Sequence, residues 1–135
     1  MVVKITGMPA VSSDPQGQRH ARQAYHEAGQ AVEFALKAIY IKRKGLKEWP
    51  PGFRGSEWHS LVLIAERAGL GFDLTELRRS NKVRFGNWLT ARVWDSNARF
   101  PGNAPPTREL NDLFLAICHE RDGIMLWLES IFQTA

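Results

Sequence analysis

Glu33 and Lys37 stand four positions apart in a segment of helical period, so that both project from one face. A lysine steadied by an acid is a phosphate-binding element when guanidinium groups join it. Arg92 and Arg99, seven apart, offer planar donor forks suited to phosphate oxygens. Glu33, Lys37, Arg92 and Arg99 are therefore the candidate ligand-binding set, with two helices of a bundle lending side chains to one groove. A blander reading stands beside it: Glu33 and Lys37 also fit a solvated ion pair contributing about 0.3–0.5 kcal/mol. Arg92, Asp95 and Arg99 share a stripe with Trp88 and equally suit a structural tether.

Other residues of chemical interest read as structural. Arg121 falls on the apolar stripe between Ile117 and Ile124, where a charge needs an acid such as Glu33 or Asp95. His119 projects from the opposite side into solvent, His26 is a surface or packing residue, and His59 fixes a loop. The four histidines are dispersed without metal-ligand spacing, no glycine-rich phosphate loop follows a strand, and no serine or cysteine has a nucleophile's setting. No metal and no cofactor are expected. A helix-turn-helix DNA reader is weaker still, because no short helix rich in base-reading residues follows the second helix.

The elements that must carry these residues are helical. Ala21, Ala24, Ala28, Ala31, Val32, Ala35, Ala38 and Ile39 make one apolar band, with His26, Gln30, Glu33 and Lys37 opposite. Asp14 and Pro15 suit the start of this first helix, and Gly45 its end after Lys42, Arg43 and Lys44. Trp49, Pro50, Pro51 and Gly52 force a loop. Ser56 then caps a second helix, with Trp58, Leu61, Val62, Ala65 and Ala68 on one face and Gly69 and Gly71 as its stop. A third helix opens on Asp73 and Glu76 in capping-box spacing and runs toward Ala98, with a break near Gly86. Thr107 caps a last helix reaching almost to Ala135, with Leu110, Leu113, Phe114, Ile117, Ile124, Met125 and Leu128 along its stripe.

No segment has strand period, so the expected fold is all-α: an antiparallel, up-and-down bundle of four main helices. Residues 1–13 lack helical period and read as a flexible N-terminal arm, leaving 14–135 as a single domain. A length of 135 residues with 44% hydrophobic content suits one core without disulfides. Cys118 is the single cysteine, and no run approaches the roughly 18 apolar residues of a membrane span. A cytoplasmic location without membrane contact is expected. A net charge of +4 favours acidic partners without the strength of a nucleic-acid-binding tail.

The run His26-Glu27-Ala28-Gly29-Gln30-Ala31-Val32-Glu33-Phe34-Ala35-Leu36-Lys37-Ala38, followed by His59-Ser60-Leu61-Val62-Leu63-Ile64-Ala65 and by Arg99-Phe100-Pro101 before a final helix, is similar to the HEPN domains over roughly residues 20–134. The resemblance implies a helical, HEPN-like bundle and a homodimer. It further implies a role with nucleotide or RNA, often beside a small nucleotidyltransferase partner, in a toxin–antitoxin or defence setting. Catalytic HEPN ribonucleases carry an arginine, four to six residues and a histidine near the start of a late helix. The last helix lacks that pair. Arg54 and His59, with four residues between them, and Arg19 and His26, with six, have the spacing elsewhere.

Three functions therefore stand open: a non-catalytic module binding nucleotide, RNA or a nucleotidyltransferase; a metal-independent ribonuclease with Arg54 and His59 as catalytic candidates; and a structural dimeric scaffold. Five tryptophans are many for one small core, which places Trp49, Trp58 and Trp94 at an expected dimer interface.

Overall fold

A computed structural model of the chain describes residues 15–55, 58–98, 100 and 104–135. The arm, Ser56 and Arg99 lie outside the described residues, as does the cap expected from Asp14. Six helices replace the four expected: α1 (Pro15–Lys44), α2 (Leu61–Arg67), α3 (Gly71–Ser80), α4 (Lys82–Ala91), α5 (Thr107–Cys118) and α6 (Ile124–Thr134). All regular structure among the described residues is helical, and no helix there is long and apolar enough to cross a membrane.

Helix α1 is the axis of the bundle. Its 30 residues extend about 45 Å at 1.5 Å per residue. Ala21, Ala28, Val32, Ala35, Leu36 and Ile39 are fully buried, and their mostly small side chains let α2, α5 and α6 approach closely. Ala31, expected in that contact, is only half-buried. Gly45 ends the helix at φ +67°, with the Gly45 amide donating to the Lys42 carbonyl and the Leu46 amide to that of Ile41. This paired arrangement satisfies carbonyls that the helix leaves open, and it needs the left-handed backbone that glycine supplies. Gly69 closes α2 in the same way at φ +76°.

Local chemistry moves several boundaries. The second helix starts at Leu61, where the Ser60 hydroxyl accepts from the Leu63 amide at 3.3 Å. Gly71 begins α3 where it was expected to end α2. Asp73 forms no capping box: its carboxylate takes Arg43 of α1 at 3.2 Å, while Glu76 takes Arg79 at 2.7 Å. The expected break near Gly86 falls instead at Asn81, an extended residue whose side-chain oxygen accepts from the Arg84 amide at 3.0 Å and so caps α4. Helix α4 stops at Ala91, well short of Ala98. Trp94 then folds back onto α1, and its indole donates to the Tyr25 carbonyl at 3.0 Å.

The last helix is also two. His119 breaks it by accepting the Arg121 and Asp122 amides on Nδ1, at 3.2 and 3.0 Å. Arg121 accordingly sits exposed in the turn and not on the buried stripe. Its backbone carbonyl accepts from Arg84 at 2.6 Å, and no buried acid among the described residues holds its side chain. Cys118, at the end of α5, is half-buried, and desolvation pushes its thiol above the ordinary range.

Contacts along the elements give their directions. Glu33 meets His59 while Arg43 meets Ala68 and Gly69, so α1 and α2 run in the same sense. Asn81 meets Asp122, whereas Thr90 and Val93 share a cavity with Asp112 and Leu113, so α4 and α5 run oppositely. Tyr25 shares that cavity with Leu113, and Lys42 reaches the Phe132 carbonyl, which aligns the α5–α6 arm with α1. Helices α1, α2 and α4 and the α5–α6 arm therefore run up, up, down, up, and do not strictly alternate. The long connection after α1 has to travel back along that helix before α2 begins, and its Trp49, Phe53 and Trp58 pack on Tyr40 as it does so.

The tryptophans belong to this core. Trp58, Trp88, Trp94 and Trp127 are buried within the chain and Trp49 is half-buried, which removes the argument from tryptophan content for a dimer.

Candidate functional site

Glu33 is the charged residue that the fold buries among those described, at 3% exposure. Its two oxygens are divided: Oε2 accepts from Lys37 Nζ at 3.2 Å, and Oε1 faces His59 Nδ1 at 3.2 Å. Helix α1 sets the first pair by its period. The turn ahead of Ser60 sets the second, because capping α2 fixes the residue just before the cap. A buried carboxylate is tolerable only when cations and donors surround it, and this one has both. The ammonium of Lys37 lies 4.9 Å from the centre of the Trp49 ring, so its charge is engaged on a second side. Beside it Phe53 and Trp58 stack at 4.0 Å, and the Arg67 guanidinium lies 4.0 Å from the Trp58 ring.

The geometry orients His59. A carboxylate can only accept, so Nδ1 is the ring nitrogen that donates to Glu33 and Nε2 is the one turned away from it. With its side chain 48% exposed, the imidazole is open to solvent. Arg54, its partner in sequence spacing, is exposed in the same connection and makes no hydrogen bond to His59 among the described residues.

Arg92 is placed elsewhere. It lines an open groove of about 920 Å³ between α3 and α4, together with Thr75, Arg78, Arg79, Lys82, Phe85, Gly86 and Leu89. Glu33 and Lys37 do not line it. Arg79 is neutralised by Glu76, but Arg78, Lys82 and Arg92 have no carboxylate partner among the described residues. Arg78 lies 6.0 Å from the Phe85 ring, at the outer limit of a cation–π contact. Three uncompensated cations around an apolar floor attract an anion with a flat or apolar portion.

The structure thus joins Glu33 and Lys37, adds His59 to them, and sends Arg92 to a different face. Arg99 lies outside the described residues. Arg78 and Lys82 were missed although their spacing to Phe85, Leu89 and Arg92 follows one helical stripe; that a groove opens there depends on the break between α3 and α4. The signal was Asn81, a helix-capping type between two basic clusters. Among the described residues no group of three histidine, cysteine or acidic side chains is placed to hold a metal.

No family model matches this chain, no curated protein matches it, and no solved structure matches it.

Proposed function

We propose that the chain is a non-catalytic binding module for a phosphate-bearing ligand, a nucleotide or a short RNA, received by the groove between α3 and α4. The carrying observation is that Arg78, Lys82 and Arg92 line one groove with Phe85 and Leu89 and have no carboxylate partner among the described residues. Guanidinium and ammonium groups would bind phosphate oxygens, and the apolar floor would receive a base. The HEPN-like order of motifs supports the same reading. It brings with it a homodimer and a small nucleotidyltransferase partner, in a toxin–antitoxin or defence setting, as further parts of the proposal.

Binding of a labelled single-stranded RNA, followed by anisotropy at low salt, tests it. Arg92→Ala and Lys82→Ala should each weaken binding uniformly across sequences and reduce the salt slope by about 1. Lys37→Ala should bind like the parent, since its charge is held by Glu33 and Trp49. Absence of binding at low salt, or parental affinity in both groove variants, would leave the scaffold reading in place.

The Glu33-oriented imidazole favours one second reading, a metal-independent ribonuclease using His59 with Arg54. The exposed position of Arg54, without a hydrogen bond to His59, argues for little activity. RNA incubated with the protein in chelator is expected to stay intact, and robust cleavage abolished by His59→Ala or Arg54→Ala would promote the enzyme over the binding module.

A further inference from the structure

We infer that the turn between α5 and α6, through His119 and Asp122, sets the roll of α4 about its own axis, which makes both of them positioning residues for the ligand of the α3–α4 groove. The inference rests on the binding function proposed for that groove.

Three side chains tie the start of α4 to this turn. Asn81 Nδ2 donates to Asp122 Oδ1 at 3.1 Å, Arg84 Nη2 donates to the Arg121 carbonyl at 2.6 Å, and Asn87 Nδ2 donates to the Asp122 carbonyl at 2.9 Å. Spaced by three, Asn81, Arg84 and Asn87 occupy one face of the helix. Lys82, Phe85, Leu89 and Arg92, spaced by three and four, occupy another and line the groove. A helix held at several points along one face resists turning about its axis, so the direction of its groove side chains is fixed from behind.

The acceptors are themselves held. The Asp122 amide donates to His119 Nδ1 at 3.0 Å, and in a trans peptide unit the Arg121 carbonyl then points the opposite way, toward Arg84. The Arg121 amide donates to the same ring nitrogen at 3.2 Å. Asn81 links the turn to the break that opens the groove: its side-chain oxygen caps α4 through the Arg84 amide at 3.0 Å, while its nitrogen reaches Asp122.

A turn that served stability alone would change the melting temperature of its variants and leave the affinity of the folded protein as it was. Charge separates the two roles further. Asp122→Ala and Asp122→Asn each remove one negative charge, which by itself favours RNA, but only the asparagine keeps an oxygen for Asn81. Binding of the labelled single-stranded RNA is followed by anisotropy at low salt, on variants whose far-UV circular dichroism matches the parent. Asp122→Ala should bind about fivefold or more weakly than Asp122→Asn, and more weakly than the parent. His119→Ala should lose affinity in the same measure, and His119→Asn, whose oxygen can accept the amides of residues 121 and 122, should recover it. Where Asp122→Ala fails to fold, the His119 pair carries the comparison. Without RNA, the backbone amide signals of Phe85 and Leu89 should move by NMR in Asp122→Ala and stay in place in Asp122→Asn. If the parent binds no RNA, the groove reading falls and these signals alone decide the roll. Equal affinity of the two Asp122 variants for an RNA that the parent binds, or Phe85 and Leu89 signals that stay in place in Asp122→Ala, would overturn the inference.

Discussion

Gly29→Ala is expected to destabilise the protein by about 3 kcal/mol, the upper range for forcing atoms into a filled core. An added Cβ would lie 1.9 Å from Trp94 Cε2 and 2.0 Å from Cδ2, so the indole, its hydrogen bond to Tyr25 or α1 itself would have to move. In an ordinary helix interior the same substitution stabilises by about 0.8–1 kcal/mol, so packing reverses the sign. Gly86→Ala is the control. It lies inside α4 with nothing within 4 Å of the added atom and should show the ordinary gain. In thermal unfolding, Gly29→Ala should lower Tm by roughly 10 °C and Gly86→Ala raise it by a few degrees. A rise in both would show that Trp94 is not seated on α1.

Glu33→Ala should cost about 2 kcal/mol, less than the 3–5 of a fully buried pair because His59 remains half-exposed. The loss arises from leaving Lys37 without its acid in a poorly hydrated position and from releasing His59 from the start of α2. A double-mutant cycle in urea checks the origin: Glu33→Ala combined with Lys37→Ala should destabilise by less than the sum of the single changes. Strict additivity would mean that the carboxylate stabilises the fold through something other than its ion pair.

The bundle and the extent of α1 were legible because long apolar stripes and glycine stops are local signals, and Gly45 and Gly69 act through backbone geometry that few other residues adopt. The breaks were not legible, for different reasons. Ile117 and Ile124 are seven apart, two helical turns, so the apolar stripe keeps its phase across the interruption between them. What interrupts it is His119 capturing two backbone amides, a competition between side chain and helix that hydrophobic period does not register. At Asn81 a helix-capping residue type marks the break, whereas the break was expected from the glycine five residues later. The Glu33–Lys37 contact followed from spacing alone. His59 joined it only because the chain returns along α1 after the loop, a matter of tertiary path. Arg92 went to a different face from Lys37 because α4 ends at Ala91 and packs on α3 and α5.

The position of α1 at the axis also sets the order in which synthesis can complete the protein. Lys42 and Phe132, joined in the finished fold, are 90 residues apart in the chain. At about 5–20 residues per second, roughly 5–20 s pass on the ribosome between the making of one and the other. Throughout that interval the alanine-rich face of α1 has α2 beside it but not α6. Until α5 and α6 have been made, the growing chain therefore carries an apolar surface along α1 that those two helices later cover.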